Sequence, residues 1–243
     1  MDVKLFVLGN PGTGKSTVAR YIIEPLVRDC QWLPVRINDY EILREMFLED
    51  AAKSDEDRRF KAAEHNGFNV LDFTTFDGAL QHLQQRVEEK IAQYKTTVSI
   101  PKPLFTIIEF ARNDYQRAFQ QFNADFLQNA FVLYLDTDLE TCKRRIGQRI
   151  ANQQTEDDYY VPNSIFETYY DRGNDKCLTE MLEEDFKISK RNMRVVNNNA
   201  PLKEVEPQIR EFIQDTICKY PHVEKSVVHE YGAQRKDFAE NLV

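Results

Sequence analysis

Eight residues near the start of the chain, Gly9-Asn10-Pro11-Gly12-Thr13-Gly14-Lys15-Ser16, fit the spacing G-x-x-x-x-G-K-[ST], and Thr17 follows. Each fixed position answers a requirement of holding a phosphate chain. Glycines let successive backbone N–H groups turn toward an anion, and a helix starting at the end of the loop adds its positive end. A lysine directly after the last glycine reaches the terminal phosphates, and the hydroxyl beside it ligates magnesium. The segment from Gly9 to Thr17 is therefore expected to bind a nucleotide, with Lys15 as a catalytic cation and Ser16 as a metal ligand.

The elements around this loop have to position it. Val3 to Leu8 is a short apolar run of buried-strand length, and Val18, Tyr21, Ile22 and Leu26 at helical spacing predict a helix after the glycines, kinked or ended by Pro25. Further strands are predicted over Leu33 to Ile37, Leu104 to Ile108, Phe131 to Leu135 and Met193 to Val196. Between them, Phe76, Leu80, Leu83, Val87, Ile91 and Tyr94 mark an amphipathic helix. Pro201 opens another, carrying Leu202, Val205, Ile209, Phe212, Ile213 and Ile217. Five strands alternating with helices predict a parallel sheet covered on both faces, because parallel strands need crossovers and these are usually helical. The stretch from about 50 to 72, with His65 and Asn66, is polar and mixed and receives no assignment; it reads as an insertion.

A chain of 243 residues suits one domain, here 1–219 with a polar tail at 220–243. Hydrophobic residues make up 42%, enough for a core, which excludes wholesale disorder. The charge sum of 32 basic and 40 acidic residues, -8, argues against broad binding to a nucleic-acid backbone. No stretch approaches the ~20 apolar residues of a membrane span, and the first residues run into glycines instead of a signal peptide, so the cytoplasm is the default location. Cys30, Cys142, Cys177 and Cys218 lie far apart without a CxxC pair, and neither a zinc site nor a disulfide framework is expected. His82, His222 and His229 read as surface residues, and homo-oligomerisation is left open.

The glycine loop between a first strand and a helix resembles the P-loop NTPase superfamily, which implies a three-layer α/β/α fold with a five-stranded parallel sheet. A GTPase would show D-x-x-G after the third strand and an N-K-x-D element, and the chain has IIEFAR there and no N-K-x-D. An AAA-type motor would carry an acidic D-E pair on that strand, which is not evident either. Residues 131 to 149, FVLYLDTDLETCKRRIGQR, are similar to the strand and helix of nucleoside and nucleotide kinases that lead into a mobile lid. The resemblance implies Arg145 and Arg149, at i and i+4 with Arg144 beside them, as lid arginines that stabilise a transferring phosphoryl group, in a lid over about 144–172. Asp157 to Arg172 loosely resembles the lid-to-helix passage of deoxynucleoside kinases, and RVVNNNAPLKEVEPQI resembles the last strand and turn of many nucleotide kinases.

Ligands of open α/β sheets lie beyond the C-terminal ends of the strands, which places Asp39, Glu109 and Arg112 near the glycine loop. In many P-loop small-molecule kinases an acid after the second strand holds or deprotonates the attacking hydroxyl, implying that role for Asp39; Asp39 is equally suited to capping the helix that follows. Glu109 is expected to act on magnesium, and Arg112 to hold an acceptor phosphate or hydroxyl. Deoxynucleoside kinases have adjacent Glu and Arg here, whereas E-F-A-R separates them. The run INDYEILREMF is similar instead to a segment of zeta-toxin-type kinases, which act on a nucleotide sugar. The expectation is an enzyme, a kinase that moves the γ-phosphoryl of ATP, with magnesium, onto a small-molecule acceptor, a nucleoside or nucleotide before a nucleotide sugar. A regulatory nucleotide-binding ATPase is the alternative from another class.

Overall fold

The structure, a computed structural model, describes residues 2–99, 102–152, 159–170 and 178–219. The tail at 220–243, with His222 and His229, Cys177, and the lid positions 153–158 and 171–172 lie outside the described residues. Strand β1 (Asp2–Leu8) feeds the glycine loop, from which α1 (Lys15–Val18) continues through a π-helical turn (Ala19–Ile23) into α2 (Glu24–Asp29). Pro25, expected to kink or end the helix, does not end it: it is the second residue of α2, with one residue between it and the widened π turn.

The chain then forms β2 (Leu33–Asn38) and α3 (Asp39–Asp50), a 3-10 turn (Asp55–Asp57), and a small antiparallel hairpin of β3 (Phe60–Ala62) and β4 (Phe68–Val70). The hairpin is the content of the unassigned 50–72 stretch. Asp50 anchors it, accepting the backbone N–H groups of Arg59 at 2.7 Å and Phe60 at 3.0 Å. The long helix α4 (Thr74–Thr97) leads to β5 (Leu104–Phe110), followed by short α5 (Tyr115–Phe119) and α6 (Ala124–Leu127). Next come β6 (Phe131–Asp136), α7 (Leu139–Ala151), and α8 (Asn163–Ile165), which runs into a second π turn (Phe166–Tyr170). Helix α9 (Leu178–Phe186), a 3-10 turn (Lys190–Asn192), β7 (Met193–Asn197) and α10 (Leu202–Cys218) complete the described chain.

The five long strands pair in the order β2-β5-β1-β6-β7, all parallel. Alternate side chains of each strand face opposite sides, so the sheet divides two cores. Val3, Leu5 and Val7 of β1 join Ile107 and Leu133 under α1, α2 and α10, while Phe6 and Leu8 join Ile37, Ile108 and Val132 under α3, α4 and the shorter helices. The layers are those of a three-layer α/β/α P-loop fold. Strand β1 lies between β5 and β6, and the chain order reverses around it, so the loop at Gly9 emerges at the crevice where open α/β sheets bind ligands.

Candidate nucleotide and acceptor site

The three loop glycines have φ of 137°, 83° and 93° at Gly9, Gly12 and Gly14, a region open to glycine and strained for other residues. The first two are also fixed by close packing. A Cβ on Gly9 would meet the Leu135 carbonyl oxygen at 2.6 Å, and one on Gly12 the Cys142 carbonyl oxygen at 2.5 Å. The loop is thus wedged between the end of β6 and the first turns of α7. The Gly9 N–H donates to the Tyr115 hydroxyl at 2.8 Å, and the Asn198 side-chain amide donates to the Thr13 carbonyl at 2.6 Å, clamping the loop from both sides. Lys15 opens α1, and its Nζ donates to the carbonyls of Gly9 at 2.8 Å and Asn10 at 3.0 Å. Burial lowers the Lys15 pKa to about 8, against the pull of Asp39 and Glu109 nearby.

Two acids come to the same place from neighbouring strands. Glu109, the second-last residue of β5, is buried and accepts the Ser16 hydroxyl at 3.0 Å, with Arg36 of β2 paired to its other oxygen. Burial pushes the Glu109 carboxyl up, opposed chiefly by Arg36. Asp39 is the first residue of α3, and the cap is its neighbour: the Asn38 side chain accepts the Glu41 N–H at 3.0 Å and donates back to the Glu41 carboxylate at 3.1 Å. The capping role considered for Asp39 therefore belongs to Asn38. Asp39 instead pairs with Arg112, which is 2% exposed. The remaining reach of that guanidinium goes to the carbonyls of Ala111 at 2.6 Å and Phe76 at 2.8 Å.

The two arginines of α7 part company. Arg145 donates to the Asn198 carbonyl at 2.8 Å, on the side of the loop away from Asp39. Arg149 donates to the Tyr159 carbonyl at 2.6 Å, and its guanidinium lies 4.8 Å from the centre of the Tyr159 ring. The Arg149 Nε is buried without a partner among the described residues. Beside Asp39 lies a small cavity of about 60 Å³, lined among others by Pro11 of the loop, Tyr40, Phe68, Tyr159 and Tyr170. Lys15, Ser16, Asp39, Glu109, Arg112 and Arg149 thus share one crevice, and Arg145 sits at its margin.

Several of these groups had no signal in the sequence. Tyr115, Arg36 and Asn198 act through contacts over 106, 73 and 185 residues of separation, which no local spacing reveals. The aromatic wall from Phe68 lies in the unassigned stretch. Tyr40 and Tyr159 stood inside quoted segments, as unremarked aromatic positions.

A magnesium ion suits these residues. Among the described residues no cluster of three or more His, Cys, Asp or Glu side chains forms a metal cage. Magnesium is commonly held by one or two protein oxygens together with substrate phosphates and waters, and the Ser16 hydroxyl and the adjacent Glu109 carboxylate would be those oxygens here.

A family model described as an AAA domain matches residues 5–172. It spans the loop, both acids and α7, and bears out the resemblance to the P-loop NTPase superfamily read from the glycine loop; β5 carries the single acid Glu109 between Ile108 and Phe110. No curated protein matches the chain. Among solved structures, Kti12 of Chaetomium thermophilum in complex with ADP-AlF3 is 18% identical, with 88% of this chain and 98% of that one covered at a TM-score of 0.50. A gluconokinase from Sinorhizobium meliloti 1021 is 14% identical over 90% of this chain and 98% of that one, at a TM-score of 0.47. At 18% identity the likeness to Kti12 is one of fold.

Proposed function

The chain belongs to the AAA-domain family of P-loop NTPases, and from that premise we propose that it is a phosphotransferase, moving the γ-phosphoryl of ATP onto a hydroxyl of a small molecule, a nucleoside or nucleotide in the first instance. The observation that carries this is the pair of acids in the crevice. A protein that only held nucleotide would need Lys15, Ser16 and Glu109; it would not need a second carboxylate, Asp39, fixed by a buried arginine at the mouth of a separate cavity.

The residues divide the work. The loop amides and the positive end of α1 hold the phosphates, with the Gly9 amide already committed to Tyr115. Lys15 turns from the loop carbonyls to the phosphate oxygens. Magnesium, when bound at Ser16, neutralises charge on the transferring group. Asp39 accepts the proton of the acceptor hydroxyl, and Arg112 fixes its orientation, which makes Arg112 a positioning residue. Arg149, with an unengaged Nε, faces the crevice and stabilises charge on the equatorial oxygens, whereas Arg145 borders the nucleotide side.

The test is a coupled assay of ADP formation with ATP and magnesium against nucleosides, nucleotides, sugars and nucleotide sugars. The expected result is acceleration by one acceptor class over the unstimulated rate. ATP binding with no acceleration by any class would replace the reading with a nucleotide-regulated switch.

A further inference from the structure

The cavity beside Asp39 has a composition that selects among acceptors. Among the described residues that line it, Asp39 is the sole charged side chain, and the rest of the wall is apolar or phenolic. Arg112, the cation paired with Asp39, is buried and also donates to two backbone carbonyls. A phosphate placed against Asp39 would bring two negative charges next to a carboxylate, in a cavity whose lining residues include no cation.

The wall is also flat. Tyr159 and Tyr40 are parallel within 7°, with ring centres 3.5 Å apart, and Tyr40 continues onto Phe68 at 5.6 Å and 11°. Tyr40 covers one face of Tyr159 so closely that the Arg149 guanidinium, 4.8 Å from the same ring, has only the opposite face to occupy. Tyr159 therefore sits in a slot one ring thick, between an aromatic floor and a planar cation. The free volume beside it, about 60 Å³, is far below the roughly 300–1,000 Å³ of sites that enclose a ligand-sized molecule. A larger acceptor enters by displacing the Tyr159 ring, and what replaces it meets the same two flat surfaces.

We propose that the acceptor is an uncharged molecule with a flat ring and a free hydroxyl, and without a phosphate group: its ring takes the slot between Tyr40 and Arg149 that Tyr159 fills, and its hydroxyl reaches Asp39. This rests on the phosphotransferase reading for its use but not for its test, since the slot binds a ring whether or not transfer follows. Nucleosides meet the description; nucleoside monophosphates, sugar phosphates and nucleotide sugars do not.

Equilibrium binding, by calorimetry on the full chain with ADP and magnesium present so that turnover plays no part, tests it directly. The probes are adenosine and thymidine, their 5′-monophosphates, and glucose as a hydroxyl-rich compound without a flat ring. At least one nucleoside should bind, at least tenfold tighter than its own monophosphate and than glucose. Tyr40→Ala should weaken that binding at least tenfold while Tyr40→Phe retains it, with the melting shift on adding ADP and magnesium confirming that both variants fold. Tighter binding of a monophosphate, equal binding of glucose, or no binding of either nucleoside overturns the proposal. Nucleoside binding without ADP formation in the coupled assay leaves the slot assignment standing and refutes the phosphotransferase reading alone.

Discussion

At Lys15, burial and chemistry act on the same atom. Its pKa of about 8 in the phosphate-free loop means that the ammonium loses its proton as pH rises through about 8, while bound phosphate favours the charged form. Nucleotide binding should then take up protons at pH 8.5, and affinity should fall as pH rises above 8, by at most about tenfold per unit. Calorimetry in two buffers of different ionisation enthalpy reads the uptake directly, and Lys15→Met should abolish it along with transfer. A pH-independent affinity from 7 to 9.5 would contradict the buried, weakened ammonium. Asp39 gives a second residue-scale test, sharpened because Asn38 caps α3. Asp39→Asn removes the counter-charge of the buried Arg112, and losing one partner of a buried pair costs up to about 3–5 kcal/mol, less where the amide keeps the hydrogen bond. The melting temperature should drop. At a temperature where the variant remains folded, ATP affinity should be nearly unchanged and transfer reduced roughly 100-fold, the scale of a lost positioned base. Parental turnover in the folded variant would leave Asp39 as the counter-ion of Arg112 and nothing more.

Helix α7 shows what element geometry adds to residue type. The i, i+4 spacing puts Arg145 and Arg149 on one face, and the sequence treats them alike; in the fold that face spans two environments, Asn198 and the β7 turn at one end and Tyr159 at the other. Arg149→Ala should lower kcat with little change in ATP KM, and Arg145→Ala should raise ATP KM with a smaller effect on kcat. Equal effects of both changes on kcat would restore the symmetric role. The five sheet strands were legible because each is a short apolar run bounded by turn residues, and the loop because its glycines obey a local rule. The hairpin of β3 and β4 was not, since its strands are three residues long and its turn places His65 and Asn66 at φ of 52° and 57°, where sequence leads one to look for glycine. Likewise Asp39 was legible as an acid after β2, but its partner Arg112 and the clamp of Tyr115 on Gly9 depend on strand order, which the sequence pattern does not encode.

On the scale of the whole molecule, the glycine loop joins structures on both faces of the sheet. Val18, just past the loop, enters the core packed by α2 and α10, while Gly12 abuts Cys142 of α7 on the face packed by α3 and α4. Asn198, just past β7, ties in the last strand, and Tyr115, just past β5, the third. A ligand in the loop is therefore braced by four of the five sheet strands, and its binding free energy is felt by the fold as a unit and not by a separable loop. With ATP and magnesium at about 100 times Kd, mass action adds ~2.7 kcal/mol to the folded state. For a chain of this size that corresponds to a rise in melting temperature of roughly 5–10 °C, at ~2–4 °C per kcal/mol. The melt should stay a single transition that moves as a whole, and Lys15→Met should largely remove the shift without lowering the ligand-free melting temperature, because the variant exchanges a buried ammonium for an apolar chain of similar length. A ligand that sharpened only part of the transition, leaving a second phase at the original temperature, would show that the two faces of the sheet melt independently and that the loop is coupled to one of them alone.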